Sequence, residues 1–379
     1  MRKLLIFIIF LAGITSCVYP FDPALEGTSE DILVFEGRII AGGASTVRVS
    51  RVRSFSGDSS PISSGVVWVE DDGGGKYNAS EGSTPGQGVT IPTEAAPGDR
   101  RYRMVAEVEG RTYSSDWIKP LAPPVLESVE FVPSAIGNDL EVFVTMSGGD
   151  ESTGYLGIYF DETWEFHSDY MCGYVLDTSN WEIIPRSEPY PNYWCWRSAS
   201  STMTILDHSE YDGGRVVSFP IHSFSRSNER NHRRYSINVR AVTLPKETYR
   251  YMKNLDDISN GTGTLFSPNP GEMASNVSCE SDPSVRVMGY VTASMEASKR
   301  EFIDDRYYVS TQPPQGYLFV PASKFDYMYY YSNGYYPVNF MVINIDGEDV
   351  QDIFWGPMRC IDCVIDGGTK QKPDFWQDE

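Results

Sequence analysis

The chain beyond residue 30 is dominated by short segments in which apolar and polar residues alternate. ILVFEGRII starts at Ile32, STVRVSRV follows a glycine-rich turn, and GVVWVED ends in a run of glycines. Alternation with a period of two predicts strands that bury one face. RYRMVAEVEGRTYSSDW carries Glu109-Gly110 near its centre, which predicts a hairpin. Together these strands indicate an immunoglobulin-like or fibronectin-like β-sandwich over residues 31–118.

A second, larger β-rich domain is predicted over residues 119–308. Prolines at positions 120, 123 and 124 separate it from the first domain. Its clearest strand patterns are LEVFVTMS, GYLGIYFDETWEF, RVVSFPIHSF and RYSINVRAVTL. The region around residues 165–200 has little alternation and is rich in Trp, Tyr, Pro and Cys, so we interpret it as an insertion.

Only short helices are predicted. Pro245 and Glu247 are favourable at a helix start, so the sequence predicts a helix over residues 245–255. A second short helix is predicted over residues 295–302. Residues 309–379 form an aromatic, cysteine-containing segment rich in turn residues. The chain contains 24 Tyr, 18 Phe, 33 Gly and 24 Pro, a balance that favours a mostly β fold with one or two short helices.

The N-terminus predicts a processed leader. Arg2 and Lys3 precede an apolar run of about ten residues, half of the roughly 20 that a membrane-spanning helix needs. ITSC at residues 14–17 resembles a bacterial lipobox. That resemblance implies a signal peptide over residues 1–16, cleavage between Ser16 and Cys17, and acylation of Cys17. Residues 17–30 would then be a lipidated tether, since two acyl signals suffice for stable anchoring to a membrane.

The charge of the chain excludes one class of partner. The formal net charge is −21 at pH 7, and removal of a leader containing Arg2 and Lys3 makes it more negative. Nucleic-acid binding requires clustered Lys and Arg, so no nucleic-acid partner is expected. Anionic lipid head groups would also repel the protein, so we expect the acyl chains to hold it to the membrane.

The cysteines favour an oxidising compartment. Apart from Cys17, the chain has five, an odd number that leaves at least one thiol unpaired or paired between chains. A local disulfide between Cys360 and Cys363 is the simplest interpretation of their CxxC spacing. Cys195 would then pair with Cys172 or Cys279.

No metal or cofactor is predicted. The CxxC motif has neither a second CxxC nor paired histidines to complete a zinc site. His167, His208, His222 and His232 show no tight ligand spacing.

No catalytic residues are assigned. The chain has no GxSxG motif. The acid pairs Asp71-Asp72, Asp256-Asp257 and Asp304-Asp305 could serve glycoside hydrolysis, but adjacent acids in turns are typical of solvated surface. Asp71-Asp72 and the three glycines that follow lack the ligand spacing of a calcium loop, so we interpret them as a hairpin loop.

Two groups of aromatic residues are candidates for contact with a partner or ligand. Exposed Trp and Tyr are frequent anchors at interfaces and can stack on sugar rings, so a small-molecule or glycan ligand is left open. The candidates are Trp181, Tyr193, Trp194 and Trp196 in the insertion, and Tyr329, Tyr330 and Tyr335 in the C-terminal segment.

Several motifs in the second half follow one another in a recognisable order. They are YRYMKNL at 249–255, Phe266, Pro270, Asn276, GYV at 289–291, Arg300, Phe302, Ile303, CIDC at 360–363, GG at 367–368 and PDFW at 373–376. With the lipobox and the strand DILVFEGRI, this order resembles the lipoproteins of domain of unknown function family 4249 (DUF4249). The resemblance covers nearly the whole mature chain.

The resemblance implies an outer-membrane lipoprotein of a Gram-negative bacterium, associated with a TonB-dependent transporter. It supplies no catalytic residues. A non-enzymatic accessory or binding subunit of such a transporter is therefore the leading hypothesis. A surface carbohydrate-active or proteolytic enzyme, and a structural envelope protein or adhesin, are the alternatives. The face of the outer membrane is left open.

Overall fold

The computed structural model describes residues 32–51, 62, 64–80, 82–95, 99–148, 155–188, 190–207, 211, 215–260, 275–309, 318–345 and 347–377. The predicted leader and tether, with Ser16 and Cys17, lie outside these residues, as does His208.

The described residues form mostly strands, which confirms the predicted fold class. The helices are α1 (Lys246–Asn260) and α2 (Asp326–Ser332). The strands are β1 (Leu33–Ile40), β2 (Gly43–Arg51), β3 (Val66–Asp71), β4 (Lys76–Asn78), β5 (Val89–Thr93), β6 (Tyr102–Val108), β7 (Arg111–Ser115), β8 (Val125–Pro133), β9 (Asp139–Ser147), β10 (Tyr155–His167), β11 (Tyr174–Asp177), β12 (Glu182–Pro185), β13 (Trp194–Ser200), β14 (Thr204–Asp207), β15 (Val216–Ser225), β16 (Arg234–Leu244), β17 (Val277–Cys279), β18 (Val287–Ser294), β19 (Glu296–Asp304), β20 (Tyr335–Ile345) and β21 (Glu348–Pro357).

The first sandwich packs two sheets face to face. One sheet has the strand order β18-β1-β2-β5, and the other has the order β17-β7-β6-β3-β4. Their alternating apolar positions form one buried core, which includes Phe35, Val49, Ile91, Met104 and Tyr113. The predicted hairpin is confirmed, because Glu109 and Gly110 both have positive φ between β6 and β7. Two such residues match the twist of the flanking strands.

The first sandwich extends beyond the predicted range of residues 31–118. Its last two strands, β17 and β18, come from the region that the sequence assigned to the second domain. β18 pairs in parallel with β1, and Gly289 lies opposite Phe35. A Cβ atom on Gly289, at φ +129°, would lie 2.0 Å from the carbonyl oxygen of Phe35. Pairing between strands so distant in sequence leaves no local signal, so the predicted boundary missed it.

The second sandwich is built in the same way. A three-stranded sheet of order β15-β9-β8 packs on a sheet of order β13-β10-β16-β19, in which β14 also pairs with β10. The core between them contains Leu140 and Val144 from β9, Trp164 from β10, and Tyr235 and Ile237 from β16.

The predicted insertion and the C-terminal segment pack together. The hairpin β11–β12 lies in the insertion, and the hairpin β20–β21 lies in the C-terminal segment. The amide of Gly173 donates to the carbonyl of Val338 at 2.7 Å. A small core joins the two regions and contains Cys172, Leu318, Val338, Phe354, Cys360 and Ile361. We call these two hairpins with α2 the hairpin module.

The disulfide differs from the predicted pairing. Cys195 on β13 is bonded to Cys363, with their Cα atoms 5.8 Å apart, while Cys172, Cys279 and Cys360 are free and buried. The predicted Cys360–Cys363 bond is therefore wrong, as is the pairing of Cys195 with Cys172 or Cys279. A short turn carries Cys360 into the core of the hairpin module, whereas Cys363 faces the second sandwich.

The C-terminal residues 364–377 continue from the disulfide across the second sandwich, and we call them the strap. Thr369 and Trp196 exchange two backbone hydrogen bonds of 2.9 Å. Trp376 is buried with its ring edge-on to Trp196 and Phe302. The strap therefore covers the outer side of β13 and β19.

The predicted helices have different outcomes. The helix predicted over residues 245–255 is confirmed as α1, which begins at Lys246 and runs further, to Asn260. The helix at residues 295–302 is wrong, because this segment forms β19 and pairs with β16 along its length. Sheet pairing outweighs a weak local helix preference there. The aromatic segment read as turn-rich contains α2. No helix among the described residues is long and apolar enough to cross a membrane.

Candidate functional site

The inner face of α2 is fixed to the hairpin module by ring contacts. Tyr327 stacks on the buried indole of Trp355, with ring centroids 5.0 Å apart. Tyr330 packs on Phe319 at 4.6 Å, and Tyr335 packs on the same ring at 5.3 Å. The predicted contact residues Tyr330 and Tyr335 are thus half-buried and hold α2 in place.

The outer face of α2 is apolar and faces solvent. Phe325, Met328 and Tyr329 are 93%, 58% and 65% exposed. Phe325 has helical backbone angles and directly precedes the helix, so these positions are spaced i, i+3 and i+4 and share one face. An amphipathic helix normally turns such a face inward. We call these three residues the apolar face of α2; it contains the predicted contact residue Tyr329.

Strand β20 adds further exposed apolar residues to the same module. Phe340 and Val342 are both about half exposed and lie two positions apart, on one side of the β20–β21 hairpin. The hairpin module therefore exposes apolar side chains on both α2 and the β20–β21 hairpin. Exposed apolar side chains grouped in this way are typical of protein contact surfaces.

Two predicted contact residues of the insertion surround a pair of stacked histidines. His167 lies 4.2 Å from His232, stacks on Tyr193 at 5.1 Å and meets the edge of Trp194 at 5.0 Å, all between ring centroids. Burial, followed by the neighbouring His167, lowers the pKa of His232 to about 4. His232 is therefore neutral at pH 7. Tyr193 and Trp194 are half-buried around the two rings.

The other two residues predicted in the insertion lie elsewhere. Trp196 is half-buried beneath the strap and packs against Trp376. Trp181 lies at the turn of the β11–β12 hairpin with φ +58°, also half-buried. The structure thus divides the predicted aromatic residues among the hairpin module, the histidine pair and the strap. Of these residues, only Tyr329 is largely exposed.

A buried ion cluster lies between the sheets of the second sandwich. Glu162 is 3% exposed and accepts hydrogen bonds of 2.8 and 2.6 Å from Arg230 and of 3.0 Å from Tyr235. His222 Nε2 lies 3.2 Å from the same carboxylate. Burial alone would raise the pKa of Glu162, but Arg230 and His222 outweigh it and lower the pKa to about 2. The Arg230 guanidinium also lies 4.2 Å over the ring of Trp164. A carboxylate saturated in this way is structural.

An open cavity lies between α1 and the outer face of the first sheet, and we call it the α1 groove. Its volume is about 520 Å³. The strand register sets side chains of its floor in two rows across the sheet. One row is Tyr290, Glu36 and Arg48, and the other is Thr292, Arg38, Thr46 and Thr90.

The wall of the α1 groove is apolar and aromatic. α1 contributes Tyr251, Met252 and Leu255, and Met203 comes from the loop before β14. Tyr251 stacks on Tyr290 with centroids 4.4 Å apart. Burial and then the Glu36 carboxylate raise the pKa of Tyr251. A polar, charged floor therefore faces an apolar wall.

The sequence of the chain matches one known protein family. The sequence model of a family described as a domain of unknown function (DUF4249) matches residues 18–300. The chain belongs to the DUF4249 family. The DUF4249 match spans strands of both sandwiches and includes α1 and the whole α1 groove. The β20–β21 hairpin, α2 and the strap follow the matched region. No curated protein matches the chain significantly.

Two residues of the DUF4249 resemblance have structural roles. Gly289 allows the close approach of β18 to β1. The side chain of Asn276 donates to the carbonyl of Val291 and accepts from its amide, both at 2.8 Å. The side chain of Asn276 therefore makes the same pair of hydrogen bonds with the edge of β18 that the backbone of a neighbouring strand would make. Both residues assemble the sheet that forms the floor of the α1 groove.

Sequence reasoning missed the residues of the α1 groove. Glu36, Arg38 and Arg48 are the outward positions of alternating strands, and such positions are usually solvated. Only the arrival of α1 over this face distinguishes them. Phe325 and Met328 were missed as well, although the i, i+3, i+4 spacing of Phe325, Met328 and Tyr329 could have been found. Among the residues that the structure describes, no group of three or more His, Cys, Asp or Glu could hold a metal ion.

Proposed function

We propose that this protein is a non-enzymatic outer-membrane lipoprotein that acts as an accessory binding subunit of a TonB-dependent transporter. The apolar face of α2 is the observation that carries the docking part of the proposal. Phe325, Met328 and Tyr329 are exposed on a helix whose other face is fixed by stacked rings. Aromatic residues on a rigid support are typical interface anchors. The membrane and transporter parts rest on the lipobox and the family resemblance.

The proposed mechanism is positional. Acylation of Cys17 would hold the protein in the plane of the membrane and raise its effective concentration near an integral partner. A weak apolar contact then suffices for a lasting complex. The strongly acidic chain gains nothing from anionic lipid head groups, which leaves anchoring to the acyl chains.

The lipid anchor is tested by mass analysis of the mature N-terminal peptide. We expect cleavage before Cys17 and the mass of acyl chains on that residue. An uncleaved leader, or an unmodified Cys17, contradicts the proposed localisation.

The docking face is tested by co-purification from mildly solubilised membranes of the native host. We expect the wild type to retain a β-barrel transporter identified by mass spectrometry, and the double variant Phe325→Ser, Met328→Ser to lose it. Ile136→Ser is the matched control, because Ile136 is 91% exposed on the β8–β9 hairpin, comparable to the 93% of Phe325. If the double variant retains the transporter as well as the control does, the apolar face of α2 is not the docking site. If the wild type retains no transporter, the proposed function is wrong.

A further inference from the structure

We propose that the α1 groove binds a small amphipathic anion, a molecule with one carboxylate joined to an aliphatic or aromatic body. The proposal concerns a site separate from the apolar face of α2 and does not depend on the transporter. It rests on the charges of the floor, the chemistry of the wall and the dimensions of the cavity.

The arginines of the floor differ from the arginines of this protein that have a carboxylate partner. Arg103 and Arg230 are each held by a glutamate within 3.0 Å. In the part of the chain that the structure describes, Arg38 and Arg48 form no ion pair. Arg48 lies opposite Glu36 in the strand register, yet the two side chains are not paired. The floor therefore carries two guanidinium groups and one carboxylate, which gives it a net positive charge in a chain of net charge −21.

Arg38 also has an unsatisfied donor. Its Nε is buried without a hydrogen-bond partner among the described residues, while its guanidinium lies 4.2 Å over the ring of Tyr159. A buried donor without a partner is costly, and the negative charge of an anion beside this guanidinium would offset part of that cost. The ring contact fixes the position of the guanidinium before any ligand arrives.

The wall of the α1 groove selects an apolar body. Met203, Met252 and Leu255 present flexible apolar side chains that adapt to irregular shapes. The stacked rings of Tyr251 and Tyr290 form a flat surface at one end. A purely polar anion would leave this wall unused.

The dimensions fit a small molecule. A volume of about 520 Å³ lies within the usual range of ligand pockets. Tyr290 on β18 and Arg48 on β2 are separated by β1, so their strands are about 10 Å apart. An anion bound at Arg48 therefore places its apolar body towards the tyrosines.

Glu36 limits the charge of the ligand. Its exposed carboxylate lies between Tyr290 and Arg48 in the same row. A second negative charge on the ligand would be repelled there, so the site favours a monoanion.

The experiment is titration calorimetry on residues 18–379 without acyl groups, a chain that contains every described residue. The probes are dodecanoate and indole-3-propionate, which represent a lipid-derived and an aromatic carboxylate, with dodecyltrimethylammonium as the cationic control. We expect at least one anion to bind with one site per chain and the cation not to bind. Binding of dodecanoate alone identifies a lipid source, and binding of indole-3-propionate alone identifies an aromatic one.

Variants then locate the site. Arg48→Gln should weaken anion binding at least about tenfold, because one charge-assisted hydrogen bond is lost. Arg38→Gln should do the same, with its melting temperature measured to detect damage to the Tyr159 contact. Glu36→Gln should strengthen binding. Arg101→Gln, which removes an exposed arginine beside the opposite sheet, should change nothing.

Three results would overturn the proposal. The first is that neither anion binds at millimolar concentration. The second is that the cation binds as tightly as the anions. The third is that Arg48→Gln binds the anions as tightly as Arg101→Gln. Each leaves the test of the transporter unaffected, so the two proposals fail separately.

Discussion

At the scale of single residues, the cluster around Glu162 shows how charged partners offset the free-energy cost of burying a carboxylate. Glu162 is a carboxylate placed where burial disfavours charge, and it stays ionised because Arg230 donates to it and His222 lies beside it. Removing one member of a buried ion pair leaves the other charge uncompensated. The cluster therefore has a larger effect on stability than an exposed pair of the same residue types.

Glu162→Gln is expected to lower the free energy of unfolding by about 3–5 kcal/mol, because Arg230, only 20% exposed, loses its counter-charge. Urea denaturation of the folded chain measures this loss. Glu127→Gln is the control, since Glu127 pairs with Arg215 at the surface and its replacement should have little effect. Equal effects of the two substitutions would contradict a special role for the buried cluster.

The stacked histidines predict a pH dependence of stability. The pKa of His232 is about 4 in the folded chain and about 6.5 when unfolded, so the unfolded state binds more protons between these values. Stability contributed by this group is complete above pH 6.5 and is lost as the pH falls towards 4. The loss is on the order of 2–3 kcal/mol.

Urea denaturation at pH 4.5 and at pH 7 tests this expectation. The decrease in stability between pH 7 and pH 4.5 should be smaller in His232→Gln than in the wild type, because the titrating group is gone. His208→Gln replaces a histidine outside the pair and should leave the decrease unchanged. A decrease of the same size in His232→Gln and the wild type would show that the histidine pair does not cause it.

At the scale of elements, local signals in the sequence were reliable and distant pairings were not. The hairpin at Glu109-Gly110 and the helix starting at residue 246 follow from nearby turn and capping residues. The segment at residues 295–302 was assigned to a helix because its pairing with β16 cannot be read locally. The CxxC spacing suggested a local bond, but the turn between its two cysteines directs them into different cores.

The Cys195–Cys363 disulfide predicts an effect of reduction. The bond links residues 168 positions apart, so its loss should lower the free energy of unfolding by about 2–5 kcal/mol. Urea denaturation with and without a reducing agent measures the loss, and the double variant Cys195→Ala, Cys363→Ala should be insensitive to reduction. Peptide mapping without reduction should find Cys360 unpaired; a Cys360–Cys363 peptide would contradict this assignment.

At the scale of the whole molecule, the first sandwich is not one continuous stretch of the sequence. The sequence indicated a mostly β protein and the start of each sandwich, because alternation is visible in every strand. It did not indicate that the first sandwich takes β17 and β18, which lie in the sequence between β16 and β19 of the second sandwich. The sequence did not reveal the α1 groove for the same reason, since Glu36 and Arg48 in its floor lie about 200 residues from Tyr251 in its wall.

A fragment limited to residues 31–118 is expected not to unfold cooperatively, because it lacks β17 and β18 and exposes the core around Phe35. A fusion that adds residues 275–294 through a short Gly/Ser linker should fold. The amide of Asp116 donates to the carbonyl of Asn276 at 2.8 Å, so the linker needs little length. Circular dichroism during thermal unfolding compares the two. A cooperative transition in the shorter fragment would contradict this view of the domain.

The parallel pairing of β1 with β18 also has a consequence in time. The ribosome synthesises Leu33–Ile40 long before Val287–Ser294. β1 therefore cannot pair with β18 until most of the polypeptide has been made. Closure over so long a stretch makes for slow folding. During that interval an apolar strand edge is open to wrong partners. Biogenesis of this protein should therefore depend on a chaperone that shields the nascent N-terminal strands.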